Sequence, residues 1–246
     1  MFQRQAISRV FQIHRIGLVL IALVSTCPTF AQSNSFNRSS VGILASTNGL
    51  GFCGRTIIGE EKETNNHSLR IGLQMLRHHN EAKVQNTNYT APKPYVFEKI
   101  NSGATARIGY GFRNTFSNRA VEKPLLSLVF AGGPNIGFLK PYYVRFENPD
   151  DDQNNILIVQ QDERTRKYQG NITGPANWTR GLNEIQTQMG IHTSISLDIE
   201  WIHSYSFKSW EIGCQMDYLF NDFKILNNRS SKSFVGLFTH YSFGNN

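Results

Sequence analysis

The sequence predicts an all-β fold, an eight-stranded antiparallel transmembrane β-barrel with long external loops. Three observations lead there. Apolar and polar residues alternate with period two over long stretches, as they do on the two faces of a strand. No stretch approaches the roughly 20 apolar residues a spanning helix needs. The connections between strand segments are uneven in length, as in barrels with short turns at one end and long loops at the other.

The elements follow in chain order. Residues 1–31 read as a secretory signal peptide, which leaves 32–246 as the barrel domain. Arg4, Arg9 and Arg15 precede the apolar run 16–24, and Thr29 and Ala31 supply the small residues of a cleavage site. Segments 41–47 and 50–58 flank Asn48-Gly49, a two-residue hairpin signal. Leu69, Ile71, Leu73 and Met75 alternate with Ser68, Arg70, Gly72 and Gln74. Ala106, Ile108, Tyr110 and Phe112 alternate with Thr105, Arg107, Gly109 and Gly111. Segment 125–138 is strand-like, and Gly132, Gly133 and Pro134 within it predict a bulge or bend.

The longest run is 185–201, where Ile185, Met189, Ile191, Ile195, Leu197, Ile199 and Trp201 share one face. Gln186, His192, Ser194, Ser196, Asp198 and Glu200 share the other. Trp210, Ile212, Cys214, Met216, Tyr218 and Phe220 alternate with Glu211, Gly213, Gln215 and Asp217. Val235, Leu237, Thr239, Tyr241 and Phe243 close the set against Gly236, His240 and Ser242, with Phe234 and Phe238 breaking the polar face.

A soluble sandwich also alternates. The polar faces favour a barrel in lipid over a soluble secreted β-sandwich, because they are rich in Gly and carry opposite charges. Arg55, Arg70 and Arg107 face Asp198, Glu200, Glu211 and Asp217, and charges removed from water need partners. With a periplasmic N-terminus, periplasmic turns fall near 59–66, 113–122 and 202–208. External loops fall at 48–49, 77–101, 139–183 and 221–231. Phe112, Trp201, Trp210, Tyr241 and Phe243 then line the periplasmic rim, and Phe138, Tyr218 and Phe220 the outer one, as aromatic girdles do.

Composition narrows the function classes. Charged residues make up 17% of the chain, below the ~25% of average soluble domains. Loss of the three signal arginines takes the net charge from +7 to +4, too modest an excess to argue for nucleic acid. A basic surface suits the acidic groups of outer-membrane lipid. Cys53 and Cys214 read as free thiols. Asp150, Asp151 and Asp152 form a solvated acidic turn that lacks the glycine and distal glutamate of a calcium loop, so no metal and no cofactor is expected.

The candidate chemistry lies in the predicted lumen, where Arg55, Arg70, Arg107, His192, Asp198, Glu200, Glu211, Asp217 and His240 would form a polar network. One reading is an ion-pair plug; the other is a proton relay or narrow pore. A lipid-modifying enzyme would need a nucleophile and base near entering lipid. His78 and His79 past the third strand, and His192 beside Ser194 and Ser196, are the available groups. On the expected lipid face there are threonines and no histidine. Tyr142, Tyr143, Tyr168 and Trp178 in the longest external loop form a candidate partner-binding surface.

Four segments carry a resemblance: 46–52 (Ser-Thr-Asn-Gly-Leu-Gly-Phe), 93–97 (Lys-Pro-Tyr-Val-Phe), 132–137 (Gly-Gly-Pro-Asn-Ile-Gly) and 241–244 (Tyr-Ser-Phe-Gly). They resemble a family of small outer-membrane β-barrel proteins from Bacteroidota. That resemblance implies no settled activity and no catalytic residue. Here Gly244-Asn245-Asn246 follow Phe243, a departure from the common barrel ending. The expected function is a non-enzymatic structural or partner-binding component of the outer membrane that assists a secretion or assembly complex. Its partners would be outer-membrane lipid and other outer-membrane or periplasmic proteins. An acyl transferase or deacylase and a small pore are the alternatives.

Overall fold

The computed structural model describes residues 38–59, 64–88, 93–116, 124–148, 156–161, 165, 167–202, 206–227 and 229–245. The signal peptide with its cleavage point, and the acidic turn at Asp150–Asp152, lie outside the described residues.

Eight long strands form the barrel: β1 (Arg38–Ser46), β2 (Gly49–Ile58), β3 (Asn65–Leu76), β6 (Asn101–Thr115), β7 (Leu125–Pro141), β11 (Gln186–Ile202), β12 (Ser206–Leu226) and β13 (Arg229–Asn245). Five short strands lie between them: β4 (Lys83–Val84), β5 (Tyr95–Val96), β8 (Tyr143–Glu147), β9 (Ile156–Gln160) and β10 (Ile172–Pro175). Each long strand pairs with its neighbour in antiparallel register, and β13 pairs with β1 to close the sheet. Closure leaves no open edge, the condition for strands to stand in hydrocarbon with every backbone polar group paired.

Alternation fixes the two faces. Val41, Phe52, Ile71, Met189, Val235 and Leu237 point outward and are 60–70% exposed. Apolar exposure on this scale is rare on a soluble monomer and is what a barrel of the transmembrane type presents to lipid. At roughly 3.3 Å per residue the 17-residue strands β7, β11 and β13 are about 56 Å long, while a band about 25 Å tall crossed at about 40° takes only about 33 Å. The surplus carries the strands beyond the bilayer.

The expected bend at Gly132-Gly133-Pro134 is not a bulge. β7 keeps one register against both β6 and β11, and the β6 ladder skips only the pairs opposite Gly133 and Pro134, where proline has no N–H to donate. The strands are close here: a Cβ on Gly133 would meet the Ile108 carbonyl oxygen at 2.2 Å.

A second correction concerns segment 221–231. It is not a loop but the tip of a long β12–β13 hairpin. The ladder shifts between Tyr218 and Phe223, and this irregularity turns Phe223, Ile225 and Leu226 inward, where all three are buried. The Ile100 amide donates to the Ile225 carbonyl at 2.9 Å, and the Asn227 amide to the Glu98 carbonyl at 2.9 Å. The tip therefore folds across the barrel mouth. With segment 221–231 in strand, two external connections rather than three are longer than the turns at the other end.

Those two connections, 77–100 and 142–185, fold together. β10, β8 and β9 make a small sheet and β4 pairs with β5. Tyr95, Val144, Phe146 and Ile172 form a separate core there, with Val84, Tyr142, Val159 and Tyr168 packed against it.

Candidate functional site

The lumen is filled from the turn end upward in layers, each set by the register of β11 and β12. Asp198 lies opposite Glu211 and His192 opposite Asp217, so the carboxylates of two strands enter the same space. At the turn end Glu200 receives Arg38 at 2.8 Å, Arg113 at 2.6 Å and Arg55 at 3.4 Å. Asp198 accepts from Arg55 Nη1 at 2.7 Å and from the Ser209 hydroxyl. One layer up, Glu211 takes Arg70 at 2.7 Å and the Ser196 hydroxyl, and lies 3.6 Å from His240 Nδ1. Above it Arg107 grips Asp217 through Nε at 2.7 Å and Nη2 at 2.5 Å, with Asn135 donating to the same carboxylate at 3.0 Å. Two-pronged contacts of this kind fix a guanidinium in direction as well as charge.

The structure thus brings Arg55, Arg70, Arg107, His192, Asp198, Glu200, Glu211, Asp217 and His240 together as buried lumen residues. Sequence reasoning missed Arg38 and Arg113, which complete the arginine ring around Glu200. Arg113 has the parity of Arg107, and extending the alternation through residue 113 would have found it.

Gly109 makes room for one member. A Cβ there would lie 2.8 Å from His192 Cε1. A cavity of about 40 Å³ sits among Cys53, Arg70, Arg107, His192 and Gln215, room for roughly one or two waters. Cys53 is buried in the lumen and Cys214 exposed on the outer face; both are free thiols.

Above the charges the filling changes character. Leu76, Leu139, Leu219, Phe223, Ile225, Leu226 and Phe234 form a buried apolar cluster inside the mouth. Phe234 and Phe238, which interrupt the polar alternation of β13, are inward-facing and only 5–6% exposed. The lumen is therefore sealed twice, by ion pairs below and by hydrocarbon side chains above.

The candidate histidines lie apart: His78 Nε2 is 3.5 Å from the Ser231 hydroxyl, while His192 lines the small lumen cavity. Ser196 donates to Glu211. His78 is not in a solvated loop: it is buried, stacks on His79 at 4.4 Å, and its Nδ1 accepts the Asn80 amide at 3.2 Å. The outer face does carry a histidine, contrary to expectation. His67 Nδ1 lies 2.8 Å from the Tyr110 hydroxyl near the turn end, and its ring stacks on that of Tyr110. No group of three or more metal-ligating side chains occurs among the described residues.

The loop aromatics divide. Tyr142 receives the Val96 amide at 3.3 Å and lies under Lys99 Nζ. The Tyr143 hydroxyl donates to Glu184 at 2.6 Å. Tyr168 packs against the loop core. Trp178 remains 66% exposed.

No family model and no curated protein matches the chain. Among solved structures it is similar to neisserial surface protein A, at 9% identity over 86% of this chain and 96% of that one, with a TM-score of 0.36. It is similar to Ail, the attachment invasion locus protein of Yersinia pestis, solved with the heparin analogue sucrose octasulfate. That match has 9% identity, 87% and 99% coverage and a TM-score of 0.39. A major outer membrane protein from Thermus thermophilus matches at 9% identity, 85% and 99% coverage and a TM-score of 0.45. The resemblance to the Bacteroidota barrels rests on the four short segments alone.

Proposed function

We propose that this chain is a non-enzymatic outer-membrane barrel whose filled lumen serves as a rigid anchor and whose co-folded external module meets a protein partner. One observation carries the reading: the interior is closed by five arginines (Arg38, Arg55, Arg70, Arg107, Arg113) against four carboxylates (Asp198, Glu200, Glu211, Asp217) and capped by the apolar cluster. So filled an interior leaves little room for an ion path among the described residues. What remains available to other molecules is the belt and the loop module.

The partner is an outer-membrane or periplasmic protein of a secretion or assembly complex, and annular outer-membrane lipid surrounds the belt. Trp178 and the exposed strand β9, whose Ile156, Leu157 and Ile158 are 41–54% exposed, are the contact surface. Apolar side chains on a strand away from the bilayer are suited to a protein partner. Two measurements test this. In planar bilayers the purified chain should show no stable openings, and regular conductance steps would refute the sealed lumen. Deletion of 142–185 should release a co-purifying protein while the barrel keeps its heat-dependent gel shift; unchanged co-purification would refute the loop contact.

A further inference from the structure

The barrel wall carries a second feature just below the loop module. β3, β6 and β7 place Met75, Ala104 and Phe138 side by side on the outer face, through the pairs Met75–Ala104 and Ala104–Phe138. One step further from the membrane centre the outward row becomes polar. Ser102 pairs with Lys140, and Arg77, which follows Leu76 and its partner Gly103, falls beside Ser102. The small residues Ala104 and Ser102 sit in the middle of each row, so the wall is recessed between its longer neighbours. Trp178, Leu182 and Ile185 roof the recess, which encloses about 330 Å³.

The charges are uncompensated. Lys140 Nζ donates to the carbonyls of Trp178 and Arg180 at 3.0 and 2.9 Å, which orient the ammonium without neutralising it. Arg77 is exposed and has no ion-pair partner among the described residues. The neighbouring Lys99, by contrast, is paired with Glu81 at 2.9 Å. An apolar floor beneath two cations without a carboxylate partner among the described residues, one of them Lys140 over the Trp178 ring at 5.6 Å, suits an acyl chain below and a phosphate above.

We propose that this recess is a seat for a phosphorylated lipid of the outer leaflet. Its phosphate is held between Arg77 and Lys140 and one acyl chain lies over Ala104 against Met75 and Phe138. The seat ties the 176–185 segment to the bilayer surface, because Lys140 binds that segment and the lipid together. The inference rests on the outer-membrane reading given above.

The full-length chain is reconstituted into phosphatidylcholine vesicles containing a minor share of bis-phosphorylated lipid A, or of the same lipid A dephosphorylated. Vesicle flotation is scored, and native mass spectrometry then counts retained lipid. One phosphorylated lipid A should stay bound to the wild type. Arg77→Gln should weaken retention roughly tenfold, the loss of one charge-assisted contact. Ala104→Trp, which fills the floor and leaves the charges in place, should weaken it as well. Equal retention of the dephosphorylated lipid, or wild-type retention by both variants, overturns the seat while leaving the barrel reading intact. A chain that does not float with the vesicles overturns both.

Discussion

Glu200→Gln is the sharpest test of the lumen. The substitution keeps the shape of the side chain and removes its charge. In the native lumen Glu200 is fully buried and faces Arg38, Arg55 and Arg113 at 2.6–3.4 Å. Asp198 remains nearby, but it already takes Arg55 at 2.7 Å and approaches Arg113 at 3.4 Å. Among the described residues the change leaves five buried arginines against three carboxylates, and Arg38 loses its 2.8 Å contact to the Glu200 carboxylate. Removing one partner of a buried pair costs about 3–5 kcal/mol, because the remaining charge stays desolvated. At a slope of roughly 2 kcal/mol per molar urea, the unfolding midpoint in detergent should fall by about 1.5–2.5 M. The pair Glu200→Gln with Arg113→Met restores the original one-charge excess and should recover part of that loss, so the two effects will not add. A Glu200→Gln midpoint within about 0.3 M of wild type, less than about 1 kcal/mol on that slope, would refute the claim that these ion pairs hold the lumen.

Three further outcomes follow from the geometry. Gly133→Ala places a Cβ 2.2 Å from the Ile108 carbonyl oxygen, backbone that cannot swing aside, and should cost about 1–3 kcal/mol by the same urea measurement. Phe223→Ala removes one of the two rings of the mouth cluster and should cost about 3–5 kcal/mol, with faster hydrogen exchange at the amides of Ile100 and Asn227, whose bonds hold the hairpin tip. In lipid vesicles Cys214 should react with a membrane-soluble maleimide and resist a charged one, while Cys53 should resist both until the chain is unfolded. Labelling of Cys214 by the charged reagent would place that outer face in water.

The barrel was legible because its signal is local and repeated. Each strand states its two faces in its own residues, and Asp198, Glu200, Glu211 and Asp217 could be placed inward from parity alone. Arg113 was hidden for a simple reason: the alternation was ended one residue early, at Phe112. The apolar plug was harder to see. Leu76, Leu139 and Leu219 have lumen parity, but a leucine next to an outward apolar residue reads as the end of a strand, not as a change in filling. Only the closure of the sheet reveals that these residues meet across the mouth. The β12–β13 tip was hidden because its ladder irregularity after Tyr218 breaks the period. The loop aromatics show a further limit, since Tyr95 and Tyr142 find their partners across connections that sequence spacing does not relate.

The seam between β1 and β13 sets the timetable of assembly. Ser39 meets Asn245 there, a contact spanning almost the entire described chain. Hairpins such as β1–β2 or β11–β12 can form from neighbouring residues, yet the cylinder cannot shut until its final strand has been delivered. Long-range pairing of this kind is slow, and until it occurs two strand edges stand open to foreign pairing. A chain that lost β13 would not be a slightly smaller barrel. It would be an unclosed sheet with unsatisfied backbone on both flanks and its buried ion pairs opened to water.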